Sequence, residues 1–211
     1  DSVASRGLGD VYKRQPSVGI FVDAFVAGIG YRTATQSGVT NAQGEFNYLP
    51  GESVTFFIGA LEFPPVPAKG IVTPLDMAQS LNPAAPVVLN IARLLQSLDT
   101  DGNPANGISI SPAVAALAAQ VDFNLSLADF AASPAVVNLI ANSGGTHTTI
   151  VSVQSALSHL RDTLELVGVP VEESSSSSSV SSVPTGGANS SVDLSSAAPS
   201  STPQSSATSS S

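Results

Sequence analysis

The chain has no cysteine and no tryptophan, and aromatic residues make up only 5% of it. Without thiols there can be no disulfide, no thiolate zinc site and no cysteine nucleophile. Without indole rings, and with few phenyl or phenol rings, a cleft that holds sugars by stacking is not expected. Positive charge is also scarce, since seven lysines and arginines stand against sixteen aspartates and glutamates, a net charge of −9. Arg6, Lys13 and Arg14 belong to the first fifteen residues, and setting that stretch aside leaves four basic residues against fourteen acidic ones. Such a chain repels phosphate backbones and anionic headgroups, so neither nucleic acid nor an acidic membrane surface is an expected partner. The apolar runs, for example residues 113–119, fall far short of the roughly 20 residues that cross a bilayer, so no transmembrane segment is expected.

The two ends differ from the middle. Residues 1–15, DSVASRGLGDVYKRQ, show no strand or helix period that continues into the next segment. They resemble the adapter read-through found at the ends of translated metagenomic fragments, and are expected to be a non-native or disordered tail. Half of residues 174–211 are serine, with hardly a large apolar side chain among them. Such a segment cannot bury enough surface to offset the entropy of ordering it. Residues 171–211 are therefore expected to form a disordered Ser-rich linker.

Between these ends the pattern changes once. Residues 17–63 mix Phe, Val, Ile, Tyr and Thr with glycines, as short strands joined by tight bends do. Phe46 and Tyr48 alternate with Glu45 and Asn47, then Val54, Phe56 and Ile58 alternate again, and turn chemistry stands at residues 41–44 and at Pro50-Gly51. This predicts two hairpins of an antiparallel sheet with one buried face. Residues 64–74, rich in proline, read as an extended connection. Pro74, Pro86 and Pro112 each stand where a first helical turn tolerates proline, and Ser111 and Ser152 are placed to cap. Helical patterns come next over residues 125–132, 133–141 and 153–167. The strongest stretch is residues 89–110, LNIARLLQSLDTDGNPANGISI. Ile91, Leu94, Leu95 and Leu98 recur at helical spacing and predict a buried face, with Arg93, Gln96 and Ser97 facing water.

The expected architecture is α+β, a small antiparallel β-sandwich-like module over residues 16–72 packed against a bundle of four to five short helices over residues 73–170. The final helix is expected to lie on the central one.

Two resemblances bear on this. The run GVTNAQGEFNYLPGESVTFFIG, residues 38–59, resembles the carboxypeptidase-regulatory-like, or transthyretin-like, β-sandwich modules of bacterial surface proteins. Those carry a G-x-T-D/N-x-x-G-x-F/Y turn followed by a P-G-x-x-V strand, and the resemblance implies a structural sandwich that spaces or presents other domains. The combination VTPLD and NIARLLQSLDTDGNPANGI downstream resembles an N-terminal region of secreted and lipid-anchored proteins of Gram-negative bacteria. It implies an extracellular or outer-surface location. The serine tract resembles the linkers of multidomain polysaccharide-degrading enzymes, which implies a monomer tethered to further domains, with cell-envelope or extracellular polysaccharide as the partner.

Asp99, Asp101 and Asn103 fall at every second position after the central helix. Oxygen side chains alternating in a tight loop are how a chain wraps a hard cation, so calcium is one expectation, with Asn106 as a further ligand and Asp76 as the additional carboxylate. The match to an EF-hand loop stops there, because Pro104 stands where that loop needs glycine and Ile110 where it needs glutamate. The other expectation is that Asp99 and Asp101 make Asx-turn bonds and simply reverse the chain. Enzyme signatures are weak. No G-x-S-x-G elbow accompanies His147 or His159, Ser143-Gly-Gly reads as a helix-breaking linker, and Gly28 and Gly30 lack the third glycine of a phosphate loop. The function expected is a non-catalytic accessory or spacer module, calcium-stabilised. The alternatives are a carbohydrate-binding module serving an attached enzyme and a hydrolase fragment. Burial of Tyr31, Tyr48 and Phe56 would favour the spacer, and their exposure as a row would favour glycan binding.

Overall fold

The computed structural model describes residues 15–172. Residues 1–14 and 173–211 lie outside them, and with them nearly all of the expected N-terminal tail and Ser-rich linker. The fold is α+β, as expected from the change of pattern. Its strands are β1 (Ser17–Phe21), β2 (Val26–Ala27), β3 (Gly30–Arg32), β4 (Ser37–Val39), β5 (Glu45–Tyr48), β6 (Ser53–Ile58), β7 (Leu61–Glu62), β8 (Val66–Pro67), β9 (Ile71–Val72) and β10 (Ile108–Ser109). The helices are α1 (Pro74–Ala78), α2 (Pro86–Ser97), α3 (Leu127–Ala132), α4 (Pro134–Ala141) and α5 (Val153–Leu166).

The two expected hairpins are instead corners between sheets. Of three sheets, one has the order β5-β1-β9, a second β4-β3-β6-β7 with β8 also paired to β6, and the third is the two-stranded pair of β2 and β10. The turn at residues 41–44 forms as its chemistry predicts, Asn41 Oδ1 accepting from the N–H groups of Gln43 and Glu45 at 3.0 Å each. It nevertheless carries the chain from β4 in one sheet to β5 in the other. The turn around Pro50-Gly51 carries it back to β6. Alternation along β5 and β6 is what makes this work, since Phe46 points from one sheet and Phe56 from the other into a common interior. Phe56 stacks on Phe21 of β1 with ring centroids 4.4 Å apart and meets Phe46 edge-on at 5.2 Å. Nor is the pairing antiparallel throughout, because β9 runs parallel to β1 and β10 parallel to β2. The proline-rich connection thus contributes two strands, β8 and β9, and Pro67 falls in one that borders β6 alone. A strand bonded on one side only is where a residue without N–H is tolerated.

Pro74 and Pro86 open their helices as read from sequence, and Ser152 caps α5 by accepting from Ser155 N–H at 3.0 Å. The pattern from Pro112 yields only a short 3₁₀ turn, Pro112–Ala116, with Ser111 capping it. Its one fully buried side chain is Val114, too little apolar surface to dock a longer helix. α5 packs on α2 as expected, with Leu160 and Leu164 against Val88, Ala92 and Leu75.

The expectation for the outer face of α2 is corrected. Arg93, Gln96 and Ser97 do not face water, and from Val88 to Ser97 every side chain is buried. Loops close over that face, and the polar side chains bond their backbones. Asn90 Nδ2 donates to the carbonyls of Phe123 and Leu125 at 3.0 and 2.9 Å. Arg93 donates from Nε to Val151 O at 2.8 Å and from Nη1 to Leu127 O at 3.2 Å. Ser97 Oγ donates to Arg93 O at 2.6 Å and accepts from Val151 N–H at 2.9 Å. The polar face of α2 is therefore an internal spine that satisfies backbone groups of the loops folded over it. The sheets share one hydrophobic core with α2, α3 and α4, continuing through stacked Phe63, Phe123 and Phe130, while α5 packs in a second, smaller cluster on the other side of α2.

Candidate functional site

The loop that leaves α2 is pinched at its neck. Asp99 and Ile110 face each other as an isolated antiparallel pair. Thr100 donates to Ser109 O from both its N–H at 3.0 Å and its hydroxyl at 2.6 Å. Ser109 N–H donates in return to Asp99 Oδ1 at 2.8 Å. Beyond the neck, Pro104–Asn106 forms a 3₁₀ turn, and Ile108 and Ile110 fasten the returning strand to Phe25 and Ala27 carbonyls at 3.0 Å each. Gly28 is what allows this approach. Its φ is +80°, and a β-carbon there would overlap the Ile110 carbonyl oxygen.

Of the five residues expected to hold calcium, the structure brings three side chains together. Asp99, Asp101 and Asn106 line one hollow of about 310 Å³. Asn103 gives Asp101 its backbone N–H at 2.9 Å, but its side chain is not in that wall. Asp76 is engaged in α1, where one oxygen pairs with Lys69 Nζ at 2.6 Å and the other accepts from Thr73 N–H and hydroxyl at 2.9 and 3.0 Å. Among the described residues no three acidic or histidine side chains converge as a metal-binding group. The Asx-turn expectation fits Asp101, whose Oδ1 bonds residue 103. Asp99 instead reaches across the loop neck.

The carboxyl groups of Asp99 and Asp101 are near enough to act on each other's protonation, and their environments push their pKa values in opposite directions. Burial raises the Asp99 carboxyl above its ordinary range, and the neighbouring Asp101 charge adds to the rise. The Asn106 amide and the Asn103 N–H hold Asp101 below its ordinary range. Asp99 is fully buried, and its Oδ2 has no hydrogen-bond partner.

A second buried acid, missed in the sequence, sits beside the end of α2. Asp23 is fully buried, and burial holds its carboxyl well above the ordinary aspartate range. The Gln96 amide donates to both its oxygens at 3.3 Å. His159 Nε2 is 3.0 Å from the Asp23 carbonyl oxygen, and burial lowers its pKa despite that bond and the nearby charges of Asp162 and Asp99. Next in the chain, Ala24 has a φ of +78°, a strained value for a residue with a β-carbon. The signal available was a lone charge inside the apolar run IFVDAFV, which a strand with one wet face would not need. His147, the other histidine considered, lies instead against the acidic loop, its Nε2 3.2 Å from where a β-carbon on Gly102 would be.

No family model, curated protein or solved structure matches this chain. What the fold defines is an α+β domain in which a two-sheet sandwich and four helices close around a fifth helix that is buried and polar-studded.

Proposed function

We propose that this chain is a non-catalytic spacer or presentation module of a larger secreted or surface-attached bacterial protein. The observation that carries the reading is where the aromatic rings go. Phe56 and Phe46 are 0% and 1% exposed and Tyr31 is 5% exposed, while Tyr48 packs against the same core. Rings used to join two sheets are not offered to a sugar. A groove of about 680 Å³ has Phe63 and Phe123 in its wall, but both rings are buried and stack on each other, and Gln79, Gln120, Asp122 and Asn124 share the lining with aliphatic side chains. His159 supports the reading from the catalytic side, since its Nε2 is engaged with a backbone carbonyl. The bacterial surface location rests on the sequence resemblance of residues 38–59 and 90–108.

Affinity electrophoresis through gels containing soluble polysaccharides tests this directly. Unretarded migration is expected, together with no turnover of chromogenic glycosides and esters. Retardation that is lost when Gln120 or Asn124 in the groove is replaced by alanine would move the assignment to a carbohydrate-binding module.

A further inference from the structure

We infer that the loop after α2 holds a divalent cation, calcium by its chemistry, between Asp99, Asp101 and Asn106. The proposal is independent of the spacer reading. A carboxylate oxygen sealed from water without a donor is costly, and folded proteins supply such an atom with a partner. Asp99 Oδ2 is such an atom, and the side chain carrying it is 0% exposed. The nearby donors are already engaged: Ser109 N–H bonds Asp99 Oδ1, and Asn103 N–H and the Asn106 amide bond the two oxygens of Asp101 at 2.9 Å. The hollow these groups line, about 310 Å³, is also bounded by Phe25, Ala27, Ala42, Gly107 and Ile108 and has the volume for an ion and its hydration water. A half-turn of the Asn106 amide exchanges its N–H₂ for its carbonyl oxygen and completes a face of three oxygen side chains. An oxygen-only face on a loop of this kind suits calcium better than magnesium, which demands a tighter octahedron. With so few protein ligands the affinity falls in the weak range of extracellular modules, a dissociation constant on the order of 10⁻⁴ to 10⁻³ M.

The test uses the full 211-residue chain, stripped with chelator and titrated with calcium chloride by calorimetry. Thermal melts run alongside, with magnesium chloride at matched ionic strength as comparison. One ion per chain is expected, with a melting midpoint raised by about 3 °C at saturation. Asp101→Asn keeps an oxygen for the Asn103 N–H, so it should fold normally and lose the calcium response. Asn106→Asp should bind several-fold tighter and depend on calcium for its stability. Absence of binding heat in the parent chain overturns the site, and so does an undiminished response in Asp101→Asn. If a shared proton is the true occupant, Asp99→Asn will melt above the parent without calcium and calcium will not stabilise the parent, which also overturns it.

Discussion

Arg93 keeps 6% of its surface in water, and its buried charge is offset by the two backbone carbonyls it bonds. Replacing it with methionine preserves much of the volume but takes a charged donor from each of them. Arg93→Met is therefore expected to cost about 3 kcal/mol in urea denaturation, far more than a surface arginine would. Asp23 behaves oppositely. Its carboxyl is raised in the fold, so the native state holds the proton more tightly than the unfolded chain does. The stability it contributes is complete below the ordinary aspartate value of about 4 and is lost as pH rises through the folded value. Asp23→Asn cannot titrate. It should match the parent in acid and exceed it in stability at pH 7, measured from denaturation midpoints across that range. His159 has the other sign: its pKa is lowered by burial, so its contribution is present above about 6.5 and is lost as pH falls through the folded value.

At the scale of elements, the apolar period of α2 was legible and the fate of its polar face was not. Ile91, Leu94, Leu95 and Leu98 are buried as their spacing requires. Arg93, Gln96 and Ser97 have the same spacing they would have on a wet face, and only the loops that fold over them, far away in sequence, turn them inward. The turn at residues 41–44 repeats the lesson. Its side-chain bonds are local and readable, whereas the choice between a hairpin and a corner depends on which strand waits beyond. In the acidic loop, alternation predicted that Asp99 and Asp101 would meet, and Asn106 joined them because the 3₁₀ turn brings it back. No local pattern ties Asp76 to that loop, and α1 uses it for Lys69 and Thr73. The β2–β10 pairing rests on Gly28, with its left-handed φ and the Ile110 carbonyl against it. Gly28→Ala is expected to cost about 2–4 kcal/mol and to raise hydrogen exchange first at Ile108 and Ile110, whose N–H groups it would uncouple.

For the molecule as a whole, the boundary at residue 72 marks a change of sequence pattern while the core runs across it. β10 comes from the helical part and lies on β2, and Phe63 stacks on Phe123. A fragment of residues 15–72 is therefore expected to lack a cooperative melt and dispersed amide resonances. The chain should unfold in one calorimetric transition, with van't Hoff and calorimetric enthalpies in agreement. A folded fragment would show that the sandwich stands alone.

The place of β1 matters once neighbours are attached at both ends. It enters as the middle strand of its sheet, bonded along β5 on one side and β9 on the other. The described chain leaves through α5, which buries little more than Ala156, Leu160, Thr163 and Leu164, and a short tail whose Val169 and Val171 pack beside Leu75 and whose Glu172 N–H donates to Leu81 O at 2.8 Å. Stretched end to end, the first strand would load two rows of hydrogen bonds in shear together, while the last helix would peel away a turn at a time. The domain would then lengthen gradually from its back while its front held, as a shock absorber does.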